Sequence, residues 1–334
     1  MGAYAVSYEI YIIDKNFEKK QKIKDVVNIN WGDDLDNIFT AFDFTTSEVL
    51  KAGEWIEIFE KDENKTVLRG IITKTSQSQK ALYTYSGYDT GFYCEKNKIT
   101  IQYKTNTKIS EGIKQALKEV EIPCKNIPDI IYTVKKIYKN TLVTDILKEL
   151  LQFAVDKGLQ NNLFYDCKQG YVSLNKYSEN DNLKGVIANI YTIKSTDTIH
   201  GFNITSSIEN MKNRVQVITS ESDKGNITKV KKEYTTQNND NVEKYGVLQE
   251  TIEPQKDEKN YKKLAELKLK ELNKIEEKTS LTILANYKAK KGVIIPIKND
   301  YLKLNDKYLI KSSKHAIEGT KEIVTIEIEK YVNP

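Results

Sequence analysis

From residue 4 to residue 93 the chain reads as successive short strands separated by polar turns. "YAVSYEIYII" is rich in tyrosine, valine and isoleucine, residue types that suit a pleated, half-buried surface. "NIFTAFDFTT" alternates, with Ile38, Thr40, Phe42 and Phe44 on one side and Phe39, Ala41 and Asp43 on the other. "GEWIEIFEKDENKTVLRGIITK" (53–74) predicts a hairpin around the polar turn "KDEN". In it Ile56 and Ile58 share one face, while Glu57 and Glu60 are expected on the other. Gly70, inside the second strand, predicts either a bulge or a close approach of backbone.

The period then changes. "TKISEGIKQALKEVEIP" puts Ile109, Ile113, Ala116, Leu117 and Val120 on one helical face, with Pro123 beyond the end. "TLVTDILKELLQFAVDKG" does the same with Leu142, Ile146, Leu147, Leu150 and Ala154, and Gly158 is placed to close that helix. "NNLFYDCKQGYVSLN" predicts a hairpin whose turn ends in Gly170. Strand patterns return from about residue 200: "RVQVIT", "TSLTILANYKA", "GVIIPI", "KYLIKSSKHAI" and "KEIVTIEIEKYV". Two segments interrupt them. "ESDKGNITKVKKEYTTQNNDNVEKYG" is polar and predicts an exposed excursion or loop. Residues 257–278 predict a helix with Tyr261, Leu264, Ala265, Leu272 and Ile275 on its apolar side. The expected fold class is α+β and β-rich: 1–95 a β domain, 96–199 an inserted small α+β domain, and 200–334 a second β domain with the 257–278 helix packed on it.

Composition supports a folded chain. Of 334 residues, 39% are hydrophobic and 30% charged, ample for real cores. The net charge of +5 is too small and too dispersed to predict nucleic-acid binding. No apolar run reaches the length of a membrane span, and the N-terminal stretch has no secretory or myristoylation pattern. Cys94, Cys124 and Cys167 lack the close pairing of a zinc site and are expected as reduced, partly buried thiols. His200 and His315 stand apart from other metal ligands and are expected at strand edges or in loops. The acidic "GDDLDN" (32–37) lacks the spacing of a calcium loop; it reads as a solvated loop or an acidic patch for a partner. Phosphate-binding glycine motifs and a nucleophile elbow are absent. The basic "VKKIYKN" and "KVKK" are single patches, and the lysines of 257–278 alternate with glutamates as on a solvated helix face. No catalytic, cofactor-binding or metal-binding residue is singled out, and no cofactor is expected.

Several stretches in order resemble one family. They are "AGEWIEIFEKDENKTVLRGIITK", "YSGYDTGFYCEKNKITIQYKTNTKISEGIKQAL", "NTLVTDILKELLQFA", "SSIENMKNRVQVI", "EKYGVLQETI", "LAELKLKELNKIEEKTSLTI" and "DKYLIKSSKHAIEGTKEIVTIEIE". Together they resemble the baseplate (tail-hub) proteins of contractile phage tails and phage-tail-like particles, of the type found in the defective prophage PBSX. The resemblance implies two tail-tube-like β-barrel or sandwich domains, 1–95 and 200–334, around the insert. It implies a homotrimer whose six such domains form a pseudo-six-fold ring between a six-fold tail tube and a three-fold spike. Implied partners are the tail tube protein, the central spike protein, the tape-measure protein and other baseplate proteins, with DNA passing through the bore if the particle is a true phage. The implied location is a virion or tail-like particle assembled in the bacterial host cytoplasm. Two other readings stay open: a peptidoglycan hydrolase associated with the tail tip, and a nucleic-acid-binding protein.

Overall fold

Residues with the period of two form a sheet whose order joins the two ends of the chain. The computed structural model describes residues 7–18, 20–79, 81–179, 199–223, 226–254, 260–284, 287–318 and 321–332. The first strands are β1 (Tyr8–Ile13), β2 (Lys20–Lys22), β3 (Asn28–Asp34), β4 (Ala41–Thr46), β5 (Trp55–Glu60), β6 (Lys65–Gln79) and β7 (Leu82–Asp89). A short helix α1 (Gly91–Lys96) leads to β8 (Lys98–Lys108), α2 (Ile109–Glu119), β9 (Thr133–Leu142), α3 (Val143–Asp156), β10 (Leu163–Asp166), β11 (Ser173–Lys176) and β12 (Ser178–Glu179). Then come β13 (Ile199–Ser207), β14 (Arg214–Asp223), β15 (Asn226–Gln237), β16 (Gln249–Ile252), β17 (Glu276–Leu284), β18 (Val293–Asn299), β19 (Leu304–Glu318) and β20 (Lys321–Lys330). The fold is α+β and β-rich.

The main sheet runs β13-β17-β20-β19-β3-β4-β7-β6-β5-β1-β2, with β18 pairing β19 and β12 pairing β18. The antiparallel β3–β19 ladder, from Asp34 opposite Ser312 to Ile29 opposite Ile317, joins the first strands to the last ones. Two apolar clusters line this sheet. One holds Ile10, Phe42, Phe44, Ile56, Ile58, Leu68 and Tyr85. The other holds Leu281, Ile295, Ile310, Val324 and Ile326.

Gly70 proves to be a close approach. A Cβ there would lie 2.5 Å from the Phe42 ring and 2.6 Å from the Tyr88 carbonyl oxygen. Gly87 on the neighbouring strand meets the same ring at 2.5 Å. The β5–β6 bulge falls instead between Ile58 and Phe59. The extra residue, Val67, is on β6 and leaves the alternation of β5 intact, so Glu60 shares the face of Ile56 and Ile58, and of the two glutamates Glu57 alone faces the other side, which is covered and not solvated. Glu57 and Glu60 are both buried. Glu57 pairs with Lys20 and accepts from Arg69 Nε at 2.9 Å. Glu60 accepts the backbone N–H groups of Asp62 at 3.2 Å and Glu63 at 2.6 Å, which holds the turn.

The insert has its own core, where α2 and α3 pack on the inner face of the β8–β9 ribbon. Ile109, Ile113, Ala116, Leu117, Ile146, Leu147, Leu150 and Ala154 are all fully buried, as their 3.6-residue spacing requires. Tyr103 donates to Gly112 O and Tyr165 to Leu147 O, each at 2.9 Å, so both phenols are buried with partners. Gly158, at φ +108°, ends α3, and Leu159 N–H reaches back to Ala154 O at 3.0 Å.

The chain divides into two compact units, residues 1–202 with 280–334, and residues 203–279. In the second, the three-stranded sheet β15-β14-β16 carries the helix Tyr261–Leu272, with Val215, Val217 and Ala265 buried between them. The polar stretch expected as a loop is thus ordered as β15 and a short helix, Asn239–Tyr245. Among its described side chains β15 meets the small core through Tyr234, so its sequence carries little apolar signal. Asn213, fully buried, donates to Asn241 O at 3.1 Å and Gly246 O at 2.7 Å, and accepts from Leu248 N–H at 2.9 Å.

Candidate functional site

Strand alternation carries polar residues as well as apolar ones into the main sheet. On β3, Ile29, Trp31 and Asp33 share the buried face. On β19 the same face carries Ser313, His315 and Ile317, and on β20 it carries Glu322, Val324 and Ile326. The result is a buried polar ladder. Asp33 pairs with Lys168 and accepts from Ser313 Oγ at 2.7 Å and from Lys291 N–H at 3.2 Å. Ser313 Oγ lies 3.0 Å from His315 Nε2, and His315 Nδ1 lies 2.6 Å from Glu322. Tyr8 donates to the second oxygen of Glu322 at 2.5 Å. The imidazole stacks on Trp31 at 4.6 Å and 10°.

Charge balance explains why such groups persist inside. Burial disfavours an ionised Asp33, but Lys168 and Lys291 outweigh it and hold the carboxyl well below the usual carboxylate range. Burial opposes the Lys168 charge, and Asp33 and Asp166 restore it. The Lys291 ammonium donates to Asp34 O at 3.0 Å and Asn37 O at 2.8 Å. Asp89, fully enclosed, behaves differently: burial pushes its carboxyl up to about 7, against the pull of Lys291. Burial also raises the Tyr8 phenol, with Glu322 adding to it.

Ser313, His315 and Glu322 stand in the order of nucleophile, base and orienting carboxylate. The geometry does not make them a working triad. Ser313 is fully buried and its hydroxyl is already held by Asp33, so no acyl substrate reaches Oγ. The ladder instead ties β1, β3, β19, β20 and the segments carrying Lys168 and Lys291. Arg69 extends the tie: its backbone N–H donates to Lys168 O at 2.7 Å, and Gln169 Nε2 donates to Thr66 O at 3.2 Å. The 53–74 hairpin is therefore where the turn after β10 docks on the sheet.

Several expectations change here. "GDDLDN" is not a solvated loop, because Asp33 is an inward-facing residue of β3. His315 is neither at an edge nor in a loop; β19 lies between β3 and β20. His200 belongs to β13, and its side chain lies outside the described residues. Cys94 and Cys167 are buried and Cys124 half-buried, all as free thiols; burial pushes Cys94 up to about 12. Among the described residues no group of three or more His, Cys, Asp or Glu side chains could hold a metal ion. No described helix is long and apolar enough to cross a membrane. The ladder was legible in part: Asp33 and Glu322 have the strand parity of Trp31 and Val324, a carboxylate where an apolar residue belongs.

Known structures place this architecture among phage tail proteins. The 43 kDa tail protein of prophage MuSo2 from Shewanella oneidensis is similar over 97% of this chain and 98% of its own, with TM-score 0.64 and 12% identity. The tail protein from Neisseria meningitidis MC58 matches over 97% of both chains, again with TM-score 0.64 and 12% identity. Prophage tail protein gp18 from Listeria monocytogenes EGD-e follows, with TM-score 0.54, 11% identity and coverage of 97% and 95%. The chain has a tail-protein fold. By sequence it belongs to the YQBQ-like family, whose model matches residues 29–329. No curated protein matches it in sequence. Family and fold together bear out the resemblance to tail-hub proteins.

Proposed function

We propose that this chain is a structural hub subunit of a contractile tail baseplate. Three copies form a pseudo-six-fold ring that joins the six-fold tail tube to the three-fold spike. The observation that carries this reading is the tail-protein fold extending over nearly the whole of this chain and of its structural relatives. The buried, fully engaged Ser313–His315–Glu322 chain supports a role without catalysis. Partners in this reading are a tube protein above, a spike protein below, the tape-measure protein in the bore and other baseplate proteins around it. A ring of this kind requires each copy to present two different, complementary faces. Light scattering across a concentration series, alone and with the neighbouring spike protein, tests the reading. A mass of three chains in either sample is expected; a strict monomer in both overturns it.

A further inference from the structure

The β8–β9 ribbon covers the insert's helices with one face and leaves the other to solvent. Ile99, Tyr103, Val134 and Tyr138 point inward and are buried. The outer face carries Lys98, Thr100, Gln102 and Lys104 from β8, and Lys135, Ile137 and Lys139 from β9, all exposed. The two strands hold six lysines and not one Asp or Glu. Two of the six are engaged, Lys108 with Asp129 and Lys136 with Glu149. Among the described residues no carboxylate pairs with Lys98, Lys104, Lys135 or Lys139. Over the whole chain basic and acidic residues nearly balance, 52 against 47. This face therefore concentrates one sign of charge where the molecule as a whole does not.

The register places Ile137 opposite Gln102, with Lys135 and Lys139 two residues to either side. Ile137 is 53% exposed. Like charges on one small face repel, and an apolar side chain among them gains nothing from water. Both costs are relieved by one kind of surface, acidic with an apolar contact at its centre. A phosphate backbone would satisfy the lysines and leave Ile137 against charge. The face also has no arginine for bidentate phosphate contacts and no outward aromatic for base stacking. We infer that the outer face of the β8–β9 ribbon is a docking surface for an acidic protein segment that inserts an apolar side chain against Ile137.

The test uses the full chain and a synthetic peptide of glutamates interspersed with leucines, with a short DNA duplex as the competing ligand. Binding is followed by fluorescence anisotropy over a salt series. The peptide is expected to bind more tightly than the duplex, and to weaken as salt rises. Lys135→Glu with Lys139→Glu is expected to reduce peptide affinity roughly tenfold or more, and Ile137→Ser by about threefold to tenfold. Lys118→Glu, an exposed change on α2, serves as the control and is expected to leave affinity unchanged. These positions are exposed, so melting temperatures should match the parent and separate binding from folding. Tighter binding of the duplex, insensitive to Ile137→Ser, would overturn the inference in favour of a nucleic-acid surface. Peptide binding that is absent, or indifferent to Ile137→Ser, would overturn it too. The readout is independent of the trimer measurement, so either reading can fail alone.

Discussion

At Asp33 a single carboxylate answers two buried lysines, and the energetics follow from what is left if it goes. Asp33→Asn removes the carboxylate that pairs with the buried Lys168 ammonium and leaves it chiefly the charge of Asp166, so a loss of about 3–5 kcal/mol is expected in urea unfolding. Ser313→Ala removes a neutral donor and should cost only about 1–2 kcal/mol. Asp89 gives the opposite pH signature. Its carboxyl rises from an ordinary 3.8 to about 7, so folding takes up a proton in between. The stability it contributes is complete below 3.8 and is lost as pH rises through about 7. Asp33, held low, contributes above the ordinary carboxylate range and loses that contribution on acidification. Denaturation curves from pH 4 to pH 8 should therefore fall less steeply with rising pH in Asp89→Asn than in the parent. Equal slopes would show that Asp89 does not titrate there.

Elements show why the hairpin at 53–74 carries so definite a pattern. Its glycine lets the Phe42 ring lie on two adjacent strands, and its arginine and threonine receive the turn after β10. Gly70→Ala pushes a methyl against that ring and against the Tyr88 carbonyl, and a backbone carbonyl cannot swing aside. A destabilisation of about 1–3 kcal/mol is expected by thermal or urea unfolding. Gly53→Ala, where nothing lies within 4 Å of the added carbon, carries only the strain of φ +93° and should cost about 1 kcal/mol. Comparable losses at the two sites would mean that Phe42 does not pack as described. The same element-level reasoning applies to the helices. Those of the insert were legible because one face is largely apolar, whereas β15 was not, because among its described side chains Tyr234 alone packs on the small core.

Across the whole molecule, the β3–β19 ladder makes the first and last segments of the chain mutually dependent. Removing residues 280–334 takes away Ser313, His315, Lys291 and Glu322 along with the partner strand of β3. A 1–279 fragment is expected to lose cooperative thermal unfolding and to be rapidly proteolysed within its first strands. A sharp transition like that of the full chain would show that the first strands fold alone. The trimer expected of a tail hub belongs to the same scale, since a ring is a property of copies and not of residues.

What the sequence determined by itself was local. The two-residue period of β4 and β20, the 3.6-residue faces of α2 and α3, the closing Gly158 and the special status of Gly70 follow from sterics and burial acting over a few positions. Family-like order along the chain carried the tail-protein resemblance for the same reason. The tertiary structure alone decided the strand order, the choice of close approach over bulge at Gly70, and the fate of the acidic "GDDLDN" segment. It also decided that His315 would be interior and that, among the described residues, no carboxylate would pair with Lys98, Lys104, Lys135 or Lys139 of the ribbon. Those outcomes depend on pairs such as Asp33 with Ser313, 280 positions apart. A carboxylate's neighbours at that range set whether it is solvated, paired or neutral, and no local pattern encodes them.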